Sequence, residues 1–183
     1  MSPQRLIALP PAGSPGSASD AFAERYHQYF TRVFAYVYGR VHNVHTAEDL
    51  VADVFERAYQ KAGSLRNEEA FSTWLFTIAR NVIISHGRRH GRESVVDPDV
   101  MKEIAPASIS VESEILMREE AATVSELLRG LPQREQDIVA LKFDAELSNT
   151  QISQIMDLSE ANVRVILFRT LRKLRDLMVA GSN

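Results

Sequence analysis

Cysteine is missing from all 183 residues. That excludes disulfide bridges and thiolate metal sites. The chain also lacks any apolar run near the ~20 residues of a membrane helix. Its one early apolar stretch, Leu6-Ile7-Ala8-Leu9, is cut short by Pro10-Pro11 and falls short of a secretory signal. No membrane insertion is expected, and the composition is compatible with a reducing cytoplasm, the expected location. There is no phosphate-binding glycine loop and no nucleophile elbow. His42 and His45 stand close together, but no Asp, Glu or Cys set completes a metal constellation. No enzyme, cofactor or metal site is expected. Nor is there an excess of positive charge, since 21 Lys and Arg face 24 Asp and Glu, for a net charge of −3. Non-specific affinity for DNA comes from neutralising phosphates. A chain of this charge therefore needs a local basic patch, or a partner that brings affinity of its own.

What is present is helical periodicity. Residues 1–19, rich in Pro, Ser, Ala and Gly, read as a disordered tail. From Asp20, Phe22, Tyr26, Tyr29, Phe30, Val33, Val37 and Val41 give one broad apolar face. After a loop at His42–His45, Thr46-Ala47-Glu48-Asp49 looks like a capped helix start. Leu50, Val51, Val54, Phe55, Ala58 and Tyr59 form that helix's apolar face, and Asp49, Asp53, Glu56 and Gln60 line another. Such an acidic stripe is either a solvated face or a dock for a basic protein. No nearby His, Ser or glycine loop turns it into an acid–base site.

Ala62 to Asn67 signals a loop. A third helix, expected from Glu68, carries Phe71, Trp74, Leu75, Ile78, Val82 and Ile83. It ends in the cluster Arg80, His86, Arg88, Arg89, His90 and Arg92. Basic residues late in a helix suit its dipole. Interleaved with aromatics and Asn81, they also suit single-stranded DNA, whose bases stack on aromatic side chains while cations track the backbone. Gly91 to Ser110, with Pro98 and Pro106 and no period, reads as a flexible linker between two helical domains.

A second domain is expected to open with a helix from Val111 to Arg129. Leu131-Pro132 breaks the chain, and Pro132 opens a helix to Phe143. Asn149 to Met156 has the length and spacing of a short support helix. Asp157-Leu158-Ser159 is a turn in which Asp157 can take the left-handed conformation and Ser159 can cap the succeeding helix. That helix carries Val163, Leu167, Leu171, Leu174 and Met178 on one face. Its other face carries Arg164, Arg169, Arg172 and Arg175, with Lys173 nearby. A solvated bundle helix has this pattern, and so does the second helix of a helix-turn-helix, which packs on one side and meets DNA on the other. Val165 and Ile166 put apolar groups near that face, to touch thymine methyls or to pack. The fold class expected is all-α: two small helical domains, residues 20–92 and 111–179, joined by a linker at 93–110.

Three segments carry a family resemblance. Ala47-Glu48-Asp49-Leu50-Val51-Ala52-Asp53-Val54-Phe55, Phe71-Ser72-Thr73-Trp74-Leu75-Phe76-Thr77-Ile78-Ala79-Arg80-Asn81 and Leu131-Pro132-Gln133-Arg134-Glu135 resemble bacterial sigma factors of the extracytoplasmic-function group, in the sigma-70 family. Order and spacing agree as well, over roughly residues 20 to 178. The resemblance implies a region 2-like first domain whose Asp49, Leu50, Asp53, Phe55 and Glu56 dock on the clamp helices of the RNA polymerase largest subunit. Lys61, Arg66, Phe71, Trp74, Arg80, Asn81, Arg88 and Arg89 would recognise and open the −10 element, a flipped base being captured by the loop. It implies a region 4-like second domain whose Glu160, Asn162, Arg164, Val165, Phe168, Arg169 and Arg172 sit in the −35 major groove, with a contact to the β-subunit flap. Many such proteins are held by an anti-sigma factor, a further partner the resemblance admits. The chain departs from the family pattern at Ala52, where Gln is frequent, and at Val165-Ile166, where Ser-Arg is frequent. Two other functions use similar parts: a stand-alone helix-turn-helix regulator, and a polymerase-binding adaptor that does not start transcription.

Overall fold

The computed structural model describes residues 18–61, 70–90 and 122–181. Their regular structure is helical, with no strand among the described residues, and the chain divides into two compact units at Ser94 and Val95. The first unit holds α1 (Ala18–Val41), α2 (Val44–Lys61) and α3 (Phe71–His90). The second holds α4 (residues 122–129), α5 (Gln133–Phe143), α6 (Asn149–Met156) and α7 (Glu160–Gly181). The tail through residue 17, the loop that carries Arg66, the linker and the first part of the helix expected from Val111 lie outside the described residues.

In the first unit every helix packs on the other two. Val33, Tyr36 and Val37 of α1 meet the apolar faces of α2 (Ala47, Leu50, Val51, Val54, Phe55, Ala58) and α3 (Phe71, Leu75, Phe76, Ala79, Val82, Ile83), all buried. Each large apolar side chain so buried contributes about 1.5–3 kcal/mol. The half-buried rings of α1 extend this core, with Tyr26 4.6 Å from Phe55 and Tyr29 5.2 Å from Phe71 between centroids.

Four sequence expectations change here. Ala18 and Ser19 open α1 instead of ending the tail; a good helix former ahead of Asp20 in the first turn favours the extension. The second helix starts at Val44, not Thr46. Asn43 caps it, its Oδ1 accepting the Thr46 N–H at 2.9 Å, so Thr46 lies within the first turn. The third helix begins at Phe71, with Ala70 in a turn whose carbonyl accepts the Trp74 N–H. Tyr59, expected in the core, is 47% exposed, its ring edge-on to Phe22 at 5.1 Å. It lies next to Ala58, about 100° round from the buried row.

The second unit is built on tight connections. Pro132 is the N-cap of α5 and does not lie inside it. Gln136 locks the entry, its Nε2 donating to the carbonyls of Leu131 (2.7 Å) and Arg129 (3.1 Å). Ser148 and Gln151 form a reciprocal capping box at α6. Asp157 ends α6 in the left-handed conformation, φ 53° and ψ 55°, as the sequence suggests. Ser159 Oγ accepts the Asn162 N–H at 3.2 Å and so caps α7. The core comprises Leu131, Ile138, Leu141, Leu147, Ile152, Ile155, Val163, Leu167, Thr170 and Leu174. Leu171 and Met178, expected in the same row of α7, are exposed, and Thr170 takes the inward place. The row 163, 167, 170, 174 keeps to one side of the helix, whereas 171 and 178 turn away from it.

Candidate nucleic-acid interface

Helix α7 packs against α5 and α6. Its inward row leaves an outward surface of Ala161, Arg164, Val165, Phe168, Arg169, Arg172 and Lys173, all exposed. Phe168 is 68% exposed and, with Val165 at 46%, forms an apolar patch within the basic face. Glu160 does two things at the start of the helix. One carboxylate oxygen accepts the Thr150 hydroxyl of α6 at 3.0 Å, and the other pairs with Arg164 at 2.9 Å. Glu160 therefore joins the two helices of the motif and orients Arg164. Farther along, Asp176 lies 3.9 Å from Arg172 and 3.2 Å from Arg175. Arg169 and Lys173 have no ion-pair partner among the described residues. Of the charges on this surface they are the ones ready for an anion. Asn162 is exposed beside them.

The third helix presents a second surface. Trp74, Ile78, Asn81, Ser85 and Arg88 recur at helical spacing along one flank of the core face, with Asn81 and Arg88 exposed and the others half-buried. Arg89 is exposed next to them. Arg80 is half-buried and about 100° round from Asn81, so these two expected −10 residues face different ways. Phe71 is buried, with Trp74 5.7 Å away and the Arg25 guanidinium 4.8 Å above its ring. As the chain stands, Phe71 supports Trp74 from below and offers no face to a base, which corrects the expectation for it. Lys61, at the end of α2, is exposed, and Arg66 lies outside the described residues.

On α2 the acidic stripe keeps Asp49 and Glu56 exposed. Asp53 is half-buried and held in a two-point pair by Arg57, at 2.6 and 2.8 Å. The sequence reading missed Arg57, although its i,i+4 spacing from Asp53 was the available signal. Glu56 accepts from Gln60 at 3.2 Å. Leu50 and Phe55, expected among the docking residues, are 8% and 4% exposed. They belong to the core and set the angle at which the acids are presented. Among the described residues no group of three His, Cys, Asp or Glu side chains is placed to hold a metal ion.

A capped support helix, a left-handed turn and a second helix with an open basic face define a helix-turn-helix protein that reads DNA. Comparison with known proteins makes the class specific. Residues 25–93 match sigma-70 region 2, and residues 127–176 match sigma-70 region 4. The chain is 30% identical over 170 residues to the ECF RNA polymerase sigma factor SigW of Bacillus subtilis, covering 86% of this chain and 91% of SigW. It is 29% identical over 164 residues to SigM of the same organism, covering 87% and 96%. With BldN of Streptomyces coelicolor it shares 30% identity over 175 residues, 95% of this chain and 66% of BldN. Among solved structures, RpoE in complex with the anti-sigma factor NepR from Bartonella quintana shares the fold, with a TM-score of 0.67, 21% identity, and coverage of 87% of this chain and 97% of that one. CnrH in complex with the cytosolic domain of CnrY does so at 0.68, 19% identity, and coverage of 90% and 91%. The chain belongs to the ECF RNA polymerase sigma factors. Its function is promoter-specific initiation of transcription with core RNA polymerase.

Proposed function

We propose that the two units divide the promoter between them. The outward face of α7 reads the −35 element in the major groove, with Arg169 on a base edge, Arg164 and Arg172 at the backbone and Asn162 and Phe168 beside them. The Trp74–Asn81–Arg88 surface of α3, with Arg89 and the loop after Lys61, takes the non-template strand of the −10 element as the duplex opens. The acids Asp49, Asp53 and Glu56 dock on a basic surface of the polymerase largest subunit, and the second unit also meets the β flap. The observation that carries the reading is the open face of α7, where Arg169 and Lys173 have no ion-pair partner among the described residues and Phe168 stands exposed on a capped helix-turn-helix.

The charge of the chain supports this division. A protein of net charge −3 gains little from phosphate neutralisation by itself. Bound to polymerase it needs only local contacts, and its acids then have a partner. A stand-alone regulator would carry a receiver or ligand domain over residues 20–90, and those residues match region 2 instead. The role is non-catalytic, the chemistry belonging to the polymerase, and the place of action is the cytoplasm. An anti-sigma factor that covered α2 or the open face of α7 would keep the chain from promoters.

Transcription in vitro tests the proposal. Core polymerase with and without the chain is given fragmented genomic DNA, and RNA 5′ ends are sequenced. New start sites sharing one upstream pair of elements are expected. Polymerase binding with no new start sites would favour the adaptor, and no binding at all would return the regulator.

A further inference from the structure

Val165 and Ile166 separate in the structure. Ile166 turns toward the body of the second unit and is half-buried, while Val165 is 46% exposed. Val165 lies in the second turn of α7 on an outward row with Ala161 and Phe168, and Arg164 and Arg169 flank it. At this exposure the side chain lies outside the domain core. A β-branched residue on an exposed helix face is also a weaker helix former than Ala, Arg or Gln. Its chemistry is restrictive. Valine neither donates nor accepts a hydrogen bond, so against the polar edge of guanine, cytosine or adenine it displaces water and returns nothing. The major groove offers one apolar group, the C5-methyl of thymine. Recognition helices of this class contact bases from the N-terminal part of the helix, which is where Val165 stands.

We infer that Val165 specifies a thymine at one position of the −35 element by packing its two methyl groups on the thymine C5-methyl. The inference rests on α7 being the −35 reader. It makes this chain's promoter preference differ from that of a protein with a hydroxyl at the same place, and it assigns the difference to one side chain.

Uracil lacks that methyl and keeps every hydrogen-bonding group of thymine, so it isolates the contact. Two pools of duplex DNA with randomised upstream sequence are made, one with thymine and one with uracil throughout. Each is selected with the full chain bound to core polymerase. In the thymine pool one −35 position is expected to be enriched for T. In the uracil pool that enrichment falls about fourfold, the ratio that ~0.8 kcal/mol for one methyl group gives. V165S is expected to select the two pools alike at that position, and V165N likewise. Equal enrichment of T and U by the wild-type chain would overturn the inference, as would a methyl preference that survives in both V165S and V165N. Enriched −35 and −10 elements with no distinction between T and U sink this inference alone. Pools without any enriched element sink the promoter reading and this inference with it.

Discussion

Arg169 and Arg164 are neighbours on one helix face but are prepared differently. Arg164 is already paired with Glu160 in the free chain, whereas Arg169 has no such partner among the described residues. Arg169→Ala is therefore expected to lower −35-dependent initiation by the equivalent of ~1–3 kcal/mol, the range for a side chain that reads a base edge. Initiation rates on matched and mismatched −35 elements check this, and equal rates for variant and wild type on both would remove Arg169 from the reading face. Asp53→Arg is expected to weaken binding to core polymerase about tenfold, because it reverses charge at the proposed dock. It also sets two guanidinium groups four residues apart, a helix cost of only ~0.5 kcal/mol. Competition binding read together with thermal melting separates the two effects, and full affinity with a lowered melting point would make Asp53 structural.

Asp144 ends α5, and burial pushes its carboxyl up to about 6. In the folded chain it thus holds a proton over a range of pH, from about 4 to 6, where the unfolded chain has released it. Stability is favoured by Asp144 below that window and declines as pH rises through it. Asp144→Asn keeps the shape and removes the charge. It is expected to stabilise the second unit by ~1–2 kcal/mol at pH 7.5 and to flatten the pH dependence between 4 and 6. Urea melts at both ends of the range test this, and an unchanged slope would mean that the carboxyl is solvated.

Among the elements, helix-turn-helix geometry was the most legible in sequence. Ser159 caps α7, Asp157 takes the left-handed turn, and α6 spans Asn149–Met156 as the spacing predicts. These features depend on local chemistry, which a sequence states directly. The Ser148–Gln151 capping box is equally local. Ser148→Ala should cost the second unit ~1 kcal/mol, measurable by thermal melting. Harder to foresee was which apolar residues go inward. Leu171, Met178 and Tyr59 fit a hydrophobic stripe by type, yet each lies off the row that meets a neighbouring helix. Periodicity gives the stripe, and the partner helices decide its edges. For the same reason the family resemblance points to Leu50, Phe55 and Phe71 as contacts, whereas their side chains are core. A motif marks a position as important without saying whether the side chain touches a partner or supports one that does. The Asp53–Arg57 pair belongs to the same class, since spacing permits such a pair and only the structure shows it made.

For the molecule as a whole, two units in one chain serve one task, and the net negative charge assigns DNA affinity to the complex more than to the chain. The isolated chain should bind promoter duplex weakly and with a shallow salt dependence, while the complex with core polymerase binds tightly and with a steep one. If both units engage a single promoter while bound to one polymerase, the DNA between the two elements fixes their relative orientation. On a mapped promoter, five base pairs are inserted between the −35 and −10 elements, about half a turn of the duplex, and initiation is compared with the parent and with a promoter whose −35 element is scrambled. The insertion is expected to reduce initiation as far as the scrambled element does, because the −35 face is turned away from α7. Initiation unchanged by the insertion, on a promoter that still loses activity when −35 is scrambled, would contradict the joint engagement of both units.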